Sequence, residues 1–483
     1  MPRVLIDTTT GHLCNRTQLA EAFEALPIFN ELVSSMTREI DYIWIRREVD
    51  EFCGYVMFSH KWEHDEPLFQ KVMDVTVYKL EASRGNIKLQ TFCSIVRALR
   101  FRWAWSDTCC IDKSDNVVLQ ESLVAMFPWY RGSSLTIIHL LGVSSLSEEP
   151  DDLQESIWNS RVWTYQEYVA AQRVLFYTED WKPYLGLTLE NHKESPIVLR
   201  QMEMSQVSSE QVAVLQPGLD RVREKLYLAS TRETTLVEDI AYSLLGVLNA
   251  PIPVMYGEGT RAVGRLLEYV LTGSGDATIL AWTGTANDYN SCLPVNLTVY
   301  ETVVPPHVPH METTELDRTV TALRSSVLDH SLTAALYDEL NKLPSPTLSS
   351  SRLRLPGILS SVNDVSMSGL DMQTYHATTD LFGDIEIKTT RNLAMMKGLC
   401  LVHPWIRPLL DQEFNCGSAE LDLTTQALRL IARLHQPFGA LLFEQVSRTE
   451  YKRVAADNLI MVQFCEGVLL ADLMSNIRTI EVL

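Results

Sequence analysis

The chain has 483 residues, 46% hydrophobic and 21% charged, with a formal net charge of −20. That length exceeds one compact core, so two or three domains are expected; the apolar content excludes a disordered chain, and the acidic balance argues against a general binder of nucleic-acid backbones. No run reaches the roughly 18 apolar residues of a membrane span, Met1 to Thr8 lacks the basic-then-apolar pattern of a secretory signal, and nine irregularly spaced cysteines without a CxxC pair form neither a disulfide framework nor a zinc ribbon. The expectation is a cytoplasmic protein with no membrane or nucleic-acid partner and no metal.

Residues 1–54 mix short apolar runs with charges and read as an N-terminal arm. Strands are expected at Gly54 to Ser59, Phe101 to Ser106, Leu135 to Leu141 and Arg173 to Tyr177. Between them, apolar residues at 89, 92, 95, 96 and 99 mark one helix, and Leu119 to Tyr130 another. An acidic insert at Glu148 to Asp152 precedes a third helix bearing Trp163 and Glu167. Strand and helix in alternation give βαβ units and a mostly parallel sheet. Ligands of such sheets bind beyond the carboxyl ends of the strands, where Ser59, His60, Asp107 and the start of the Glu167 helix should converge.

Residues 219–290 read as a helical extension. Thr235 to Glu238 fits a capping box, and Gly273 is placed to stop the helix that begins near Gly259. Residues 291–352 form a linker region with Pro- and Ser-rich stretches at 305–309 and 343–351; Thr319 to Leu340 holds a helix, or a strand and a helix. Short alternating runs over 353–483 predict a strand-rich accessory domain with a helix at Thr424 to Leu434.

The most informative segment is Arg161-Val-Trp-Thr-Tyr-Gln-Glu167. On a helix its Trp163 and Glu167 share one face, one turn apart. An isolated WxxxE is more often a core tryptophan and a solvated glutamate. Here it follows, in order, Ser59-His-Lys-Trp62, Trp105-Ser-Asp-Thr-Cys-Cys-Ile-Asp-Lys113, and Leu119-Gln-Glu-Ser with Met126 and Trp129-Tyr-Arg131. Together these blocks resemble the HET domain, the fungal heterokaryon-incompatibility module. The Arg232-Glu-Thr-Thr and Glu238 to Gly246 block, followed by Met255-Tyr-Gly-Glu-Gly259, resembles the segment that follows it in filamentous fungi. The likeness covers about 55–285, with the HET domain itself at 55–218. Glu63 and Val162 both stand where the family usually has glycine.

The HET domain is similar to TIR domains, which implies a flavodoxin-like α/β fold: a parallel sheet with helices on both faces. The resemblance implies Glu167 as the catalytic carboxylate of an NAD-cleaving enzyme in non-self recognition and cell death. Ser59, His60, Trp62, Asp107, Arg161 and Trp163 would then line the NAD site. NAD is expected as substrate, with no separate cofactor, and the protein as a homo-oligomer on activation. The alternative is a non-catalytic module that signals by self-association.

The chemistry suits one carboxylate. Cleaving the nicotinamide–ribose bond passes through an oxocarbenium-like state, as in glycoside hydrolysis. Nicotinamide leaves neutral, so no general acid is needed, and a carboxylate near the ribose can stabilise the cation. Other signals carry less. Adjacent Ser59 and His60 on a strand face opposite ways, which disfavours a hydrolase triad. Gly259 to Gly264 lacks the Lys-Ser/Thr of a phosphate loop. His307 and His310 have no third ligand nearby. Asp112 to Asn116 reads as a turn and helix cap, Cys109-Cys110 as packing, and Trp103, Trp105, Trp129 and Trp158 as core.

Overall fold

Every residue of Tyr55–His60 and of Leu135–Leu140 is buried, as befits central strands covered on both faces. The computed structural model describes residues 1–35, 42–145, 152–202, 216–301, 313–326, 330–368, 373–405, 423–465 and 469–483. Most of the acidic insert, the 305–309 stretch, His307 and His310 lie outside them. The chain forms two units, Met1–Pro217 with Arg232–Asn249, and Gly218–Thr231 with Ala250–Leu483.

The first unit opens with β1 (Val4–Asp7), β2 (Leu13–Asn15), α1 (Arg16–Glu24), α2 (Pro27–Ser35) and α3 (Tyr42–Cys53). It continues through β3 (Tyr55–His60), α4 (Phe69–Asp74), α5 (Arg84–Ala98), β4 (Trp103–Trp105) and α6 (Asn116–Arg131). Then come β5 (Leu135–Leu140), α7 (Val162–Ala170), β6 (Val174–Thr178) and α8 (Pro196–Met202). The sheet order is β2-β1-β4-β3-β5-β6. The pairings β4–β3, β3–β5 and β5–β6 are parallel, so the four expected strands form the expected α/β sheet.

The first 54 residues add an antiparallel edge to that sheet. β1 pairs with β4 and with β2, and Arg102 donates to Asp7 Oδ2 at 3.0 and 2.8 Å. The chain leaves β3 for one neighbour, β4, then crosses back to the other, β5. With right-handed crossovers this places the intervening helices on opposite faces and opens a crevice at the carboxyl end of β3. Asp115 caps α6, accepting from Val117 N and Val118 N, as the turn motif implied.

The stretch 219–290 contributes to both units. α9 (Val222–Ser230) belongs to the second, α10 (Asp239–Tyr242) to the first, and α11 (Arg261–Ser274) to the second. The expected capping box is not formed: α10 begins after Glu238 with no side-chain cap, and Thr234 Oγ1 instead bonds Leu236. Gly275, not Gly273, ends α11, in a left-handed conformation (φ +66°) that lets its N–H reach Leu271 O. Residues 232–249 bind closely to the first unit. A Cβ on Gly246 would lie 2.1 Å from Phe127 Cβ of α6, so only glycine fits.

In the second unit, α12 (Thr313–Ser326) and α13 (His330–Asn341) resolve the uncertain 319–340 stretch as helices. The strands β7 (Thr347–Ser349), β8 (Arg352–Met367), β9 (Thr374–Thr379), β10 (Gly383–Lys388) and β11 (Leu399–Pro404) follow. They join β12 (Phe438–Gln445), β13 (Glu450–Arg453), β14 (Ile460–Val462) and β15 (Ile477–Val482) in a nine-stranded, largely antiparallel sheet. α14 (Leu423–Leu434) lays Ala427, Leu430, Ile431 and Leu434 into its core. The 343–351 stretch is not a plain loop, because β7 pairs with β8 and buries Leu348.

Candidate functional site

Alternation along β3 sorts its last residues. Phe58 and His60 stack at 4.1 Å on one face, and Ser59 turns to the other. Ser59 is fully buried, and its hydroxyl donates to Glu167 Oε2 at 2.5 Å. Ser59 Oγ in turn accepts from Trp158 Nε1 at 2.8 Å. The indole thus fixes the direction of the hydroxyl proton, which points at the carboxylate. Glu167 lies on α7, 6% exposed. Burial, and then the nearby Asp107 carboxylate, push its pKa up to about 7, against the pull of Ser59, Arg161 and Tyr130.

Asp107 lies two residues beyond β4 and accepts from Trp62 Nε1 at 2.8 Å. The Lys113 ammonium sits 3.4 Å above the Trp62 ring. Arg161, the N-cap of α7, donates to His60 O at 3.2 Å and ties the start of the helix to the end of β3. Ser59, Trp62, Asp107, Arg161 and Glu167 therefore cluster at the carboxyl ends of β3 and β4. His60 is near in sequence but faces away. Its Nε2 lies 3.7 Å from Glu66 Oε1, within a buried set where Lys88 pairs with Glu66 and, at 3.3 Å, with Glu63. Burial opposes ionisation of Glu66, but His60 and Lys88 bring its carboxyl down to about 2. Burial also holds His60 low. This is a structural ion cluster, and Ser59 and His60 form no dyad.

Trp163 is only partly buried. The indole that touches Ser59 is Trp158, which the sequence reading gave to the core and which is also core, with no exposure. Tyr130, donating to Phe58 O at 3.1 Å and facing Glu167, was missed as well. So was Arg232, which donates to Arg161 O and Thr164 Oγ1 at 3.1 Å and to Asn159 Oδ1 at 2.8 Å. Its neighbour Glu233 bonds the backbone of Ser160 and Val162. Only the block order around Arg232 hinted at that role. Trp158 carries no local signal, because a loop brings it in from outside the motif, and Tyr130 shows only as one member of the Trp129-Tyr-Arg131 block.

The arrangement is a buried carboxylate with an oriented hydroxyl on one side and a Trp–Asp pair on the other. Residues 55–152 match the family model described as "Heterokaryon incompatibility protein (HET)", so the chain carries a HET domain. That match ends ahead of Trp158, Arg161 and Glu167. The chain is 32% identical over 234 residues to "Vegetative incompatibility protein HET-E-1" of Podospora anserina, covering 45% of this chain and 16% of that protein. It thus spans about a sixth of that relative's length. No solved structure matches this chain. Among the described residues no helix is long and apolar enough to cross a membrane, and no group of three or more His, Cys, Asp and Glu could hold a metal ion.

Proposed function

We propose that this protein is a TIR-like, NAD-cleaving effector of non-self recognition and regulated cell death, with Glu167 as its catalytic carboxylate. The observation that carries the reading is the Ser59–Glu167 bond at the carboxyl edge of a parallel sheet. The parallel strand order β4-β3-β5-β6 supports a flavodoxin-like reading, and ligands of such sheets bind at this edge. A carboxylate removed from water and aimed by a fixed hydroxyl is preorganised to meet a developing cation. Water attacks the anomeric carbon as the C–N bond breaks. The bonding pair leaves with neutral nicotinamide, and the water proton passes to solvent, giving ADP-ribose. Glu167 must be ionised to hold the ribose cation, and Asp107 adds a second negative charge nearby. The likeness to an incompatibility protein supports the biological context.

The test is purified full-length protein with NAD, reading nicotinamide release. Release by the wild type and not by Glu167→Gln supports the reading. Cell toxicity that persists in Glu167→Gln, with no release by either protein, would assign the fold to signalling by self-association.

A further inference from the structure

Lys113 is in an unusual state. Its Nζ is buried and has no hydrogen-bond partner, although an ammonium carries three donors. It lies 3.4 Å from the centre of the Trp62 ring. A π face offsets part of the lost hydration but accepts no conventional hydrogen bond. Burial accordingly lowers the Lys113 pKa, and the negative charge of Asp107 resists. Trp62 is itself pinned through Nε1 to Asp107, whose charge is felt at Glu167. The ammonium therefore stands at the rim of the Glu167 site on a short loop between β4 and α6. Arg161, by contrast, uses one of its five donors to tie the start of α7 to His60 O. The carboxylates suit the positively charged end of a dinucleotide; its phosphates require a cation with free donors.

We propose that Lys113 binds the pyrophosphate of the dinucleotide substrate, leaving the Trp62 ring to do so and freeing that face for a base to stack. This rests on the NAD-cleaving reading. A charged amine is stabilised by a phosphate oxygen far more than by a π cloud, and a lysine on a flexible stem can make the exchange without moving the backbone. Lys113 acts on binding and stays off the reacting bond.

The experiment compares NAD with nicotinamide riboside, which has the same scissile bond and no phosphate, in wild-type and Lys113→Met full-length protein. Methionine keeps an apolar stem over Trp62. The variant should lose about 10- to 100-fold in kcat/KM for NAD, mainly through KM, the range of one charge-assisted hydrogen bond. It should keep its rate on the riboside, and Lys113→Arg should recover part of the NAD rate. Equal losses on both substrates, or none on NAD, would overturn the assignment while leaving NAD cleavage in place. If the wild type cleaves neither, calorimetry with ADP-ribose decides: binding weakened about tenfold or more in Lys113→Met supports the site. Equal binding, or none by the wild type, overturns it. Thermal melting guards against misfolding, since loss of an unpaired buried charge should not lower stability. If the methionine variant melts early, Lys113→Gln replaces it.

Discussion

At the scale of the residue, Glu167 is a carboxyl whose surroundings oppose its charge. Its pKa of about 7 against an ordinary 4.5 means the folded state holds a proton that the unfolded chain has released. The contribution of Glu167 to stability is therefore fully present below pH 4.5 and lost as pH rises from 4.5 through about 7. Glu167→Gln removes that dependence. Above pH 8 the variant should be the more stable by about 3 kcal/mol, with the difference vanishing near pH 4, in urea titrations across that range. Activity should run the other way. If the ionised carboxylate stabilises the ribose cation, wild-type kcat/KM for NAD should rise about tenfold per pH unit below 7 and level off above it. The amide should lower kcat by roughly 100-fold or more. A flat pH–rate profile between 5 and 8 would show that Glu167 does not titrate in catalysis. Ser59→Ala tests orientation separately. It leaves Trp158 Nε1 without its acceptor, and Glu167 loses a donor that favours ionisation, so the activity midpoint should move above 7.

At the scale of the element, α7 is held at both ends by parts of the chain distant in sequence. Lys193 Nζ donates to the carbonyls of Tyr168 and Ala171, both at 2.5 Å, and caps its C-terminus. At the other end Arg232 bonds three acceptors at once and lies over the Tyr165 ring. Arg232→Ala would strand those acceptors in a buried place, and should cost about 2–4 kcal/mol in urea unfolding, with Arg232→Lys intermediate because it lacks the planar fork. A cost below about 0.5 kcal/mol would mean that the 232–249 segment merely lies against α7. Elements like these show where the sequence was legible. The four parallel strands announce themselves as apolar runs, because burial on both faces demands it, and the Asp115 cap follows from local hydrogen bonding. β1 was missed because Val4–Asp7 is short and joins the parallel strands through β4, about a hundred residues away. Trp158 looked like core and is core, so nothing in its own neighbourhood could signal that its N–H also aims the Ser59 hydroxyl. Trp163 had the right spacing for the site, yet it is only partly buried.

At the scale of the molecule, the chain does not divide where composition changes. Gly218–Thr231 packs with the second unit, and Arg232–Asn249 returns to the first. That return brings Tyr242, Leu244 and Leu248, none of them exposed, together with Ile240 and Leu245. Each buried side chain of this size is worth about 1.5–3 kcal/mol, so the group contributes on the scale of a whole domain's net stability. A fragment 1–217 keeps the parallel sheet and Glu167 but loses this cover and Arg232. It should be aggregated in size-exclusion chromatography, or melt with low cooperativity, where the full chain gives one sharp peak. If 1–217 were monodisperse and melted as cooperatively as the intact protein, residues 232–249 would be an accessory strap and the Glu167 site would be complete without them. Because the match to the HET family model covers 55–152 alone, a folding unit cut to that segment would lack α7, β6 and the carboxylate itself. The piece able to test the proposed chemistry has to reach through Asn249, and Gly218–Thr231 then travels with it, leaving the buried side chains of α9, among them Val222 and Leu226, without the second unit they pack in. The full chain is therefore the object in which the first unit is complete and α9 also keeps the unit it belongs to.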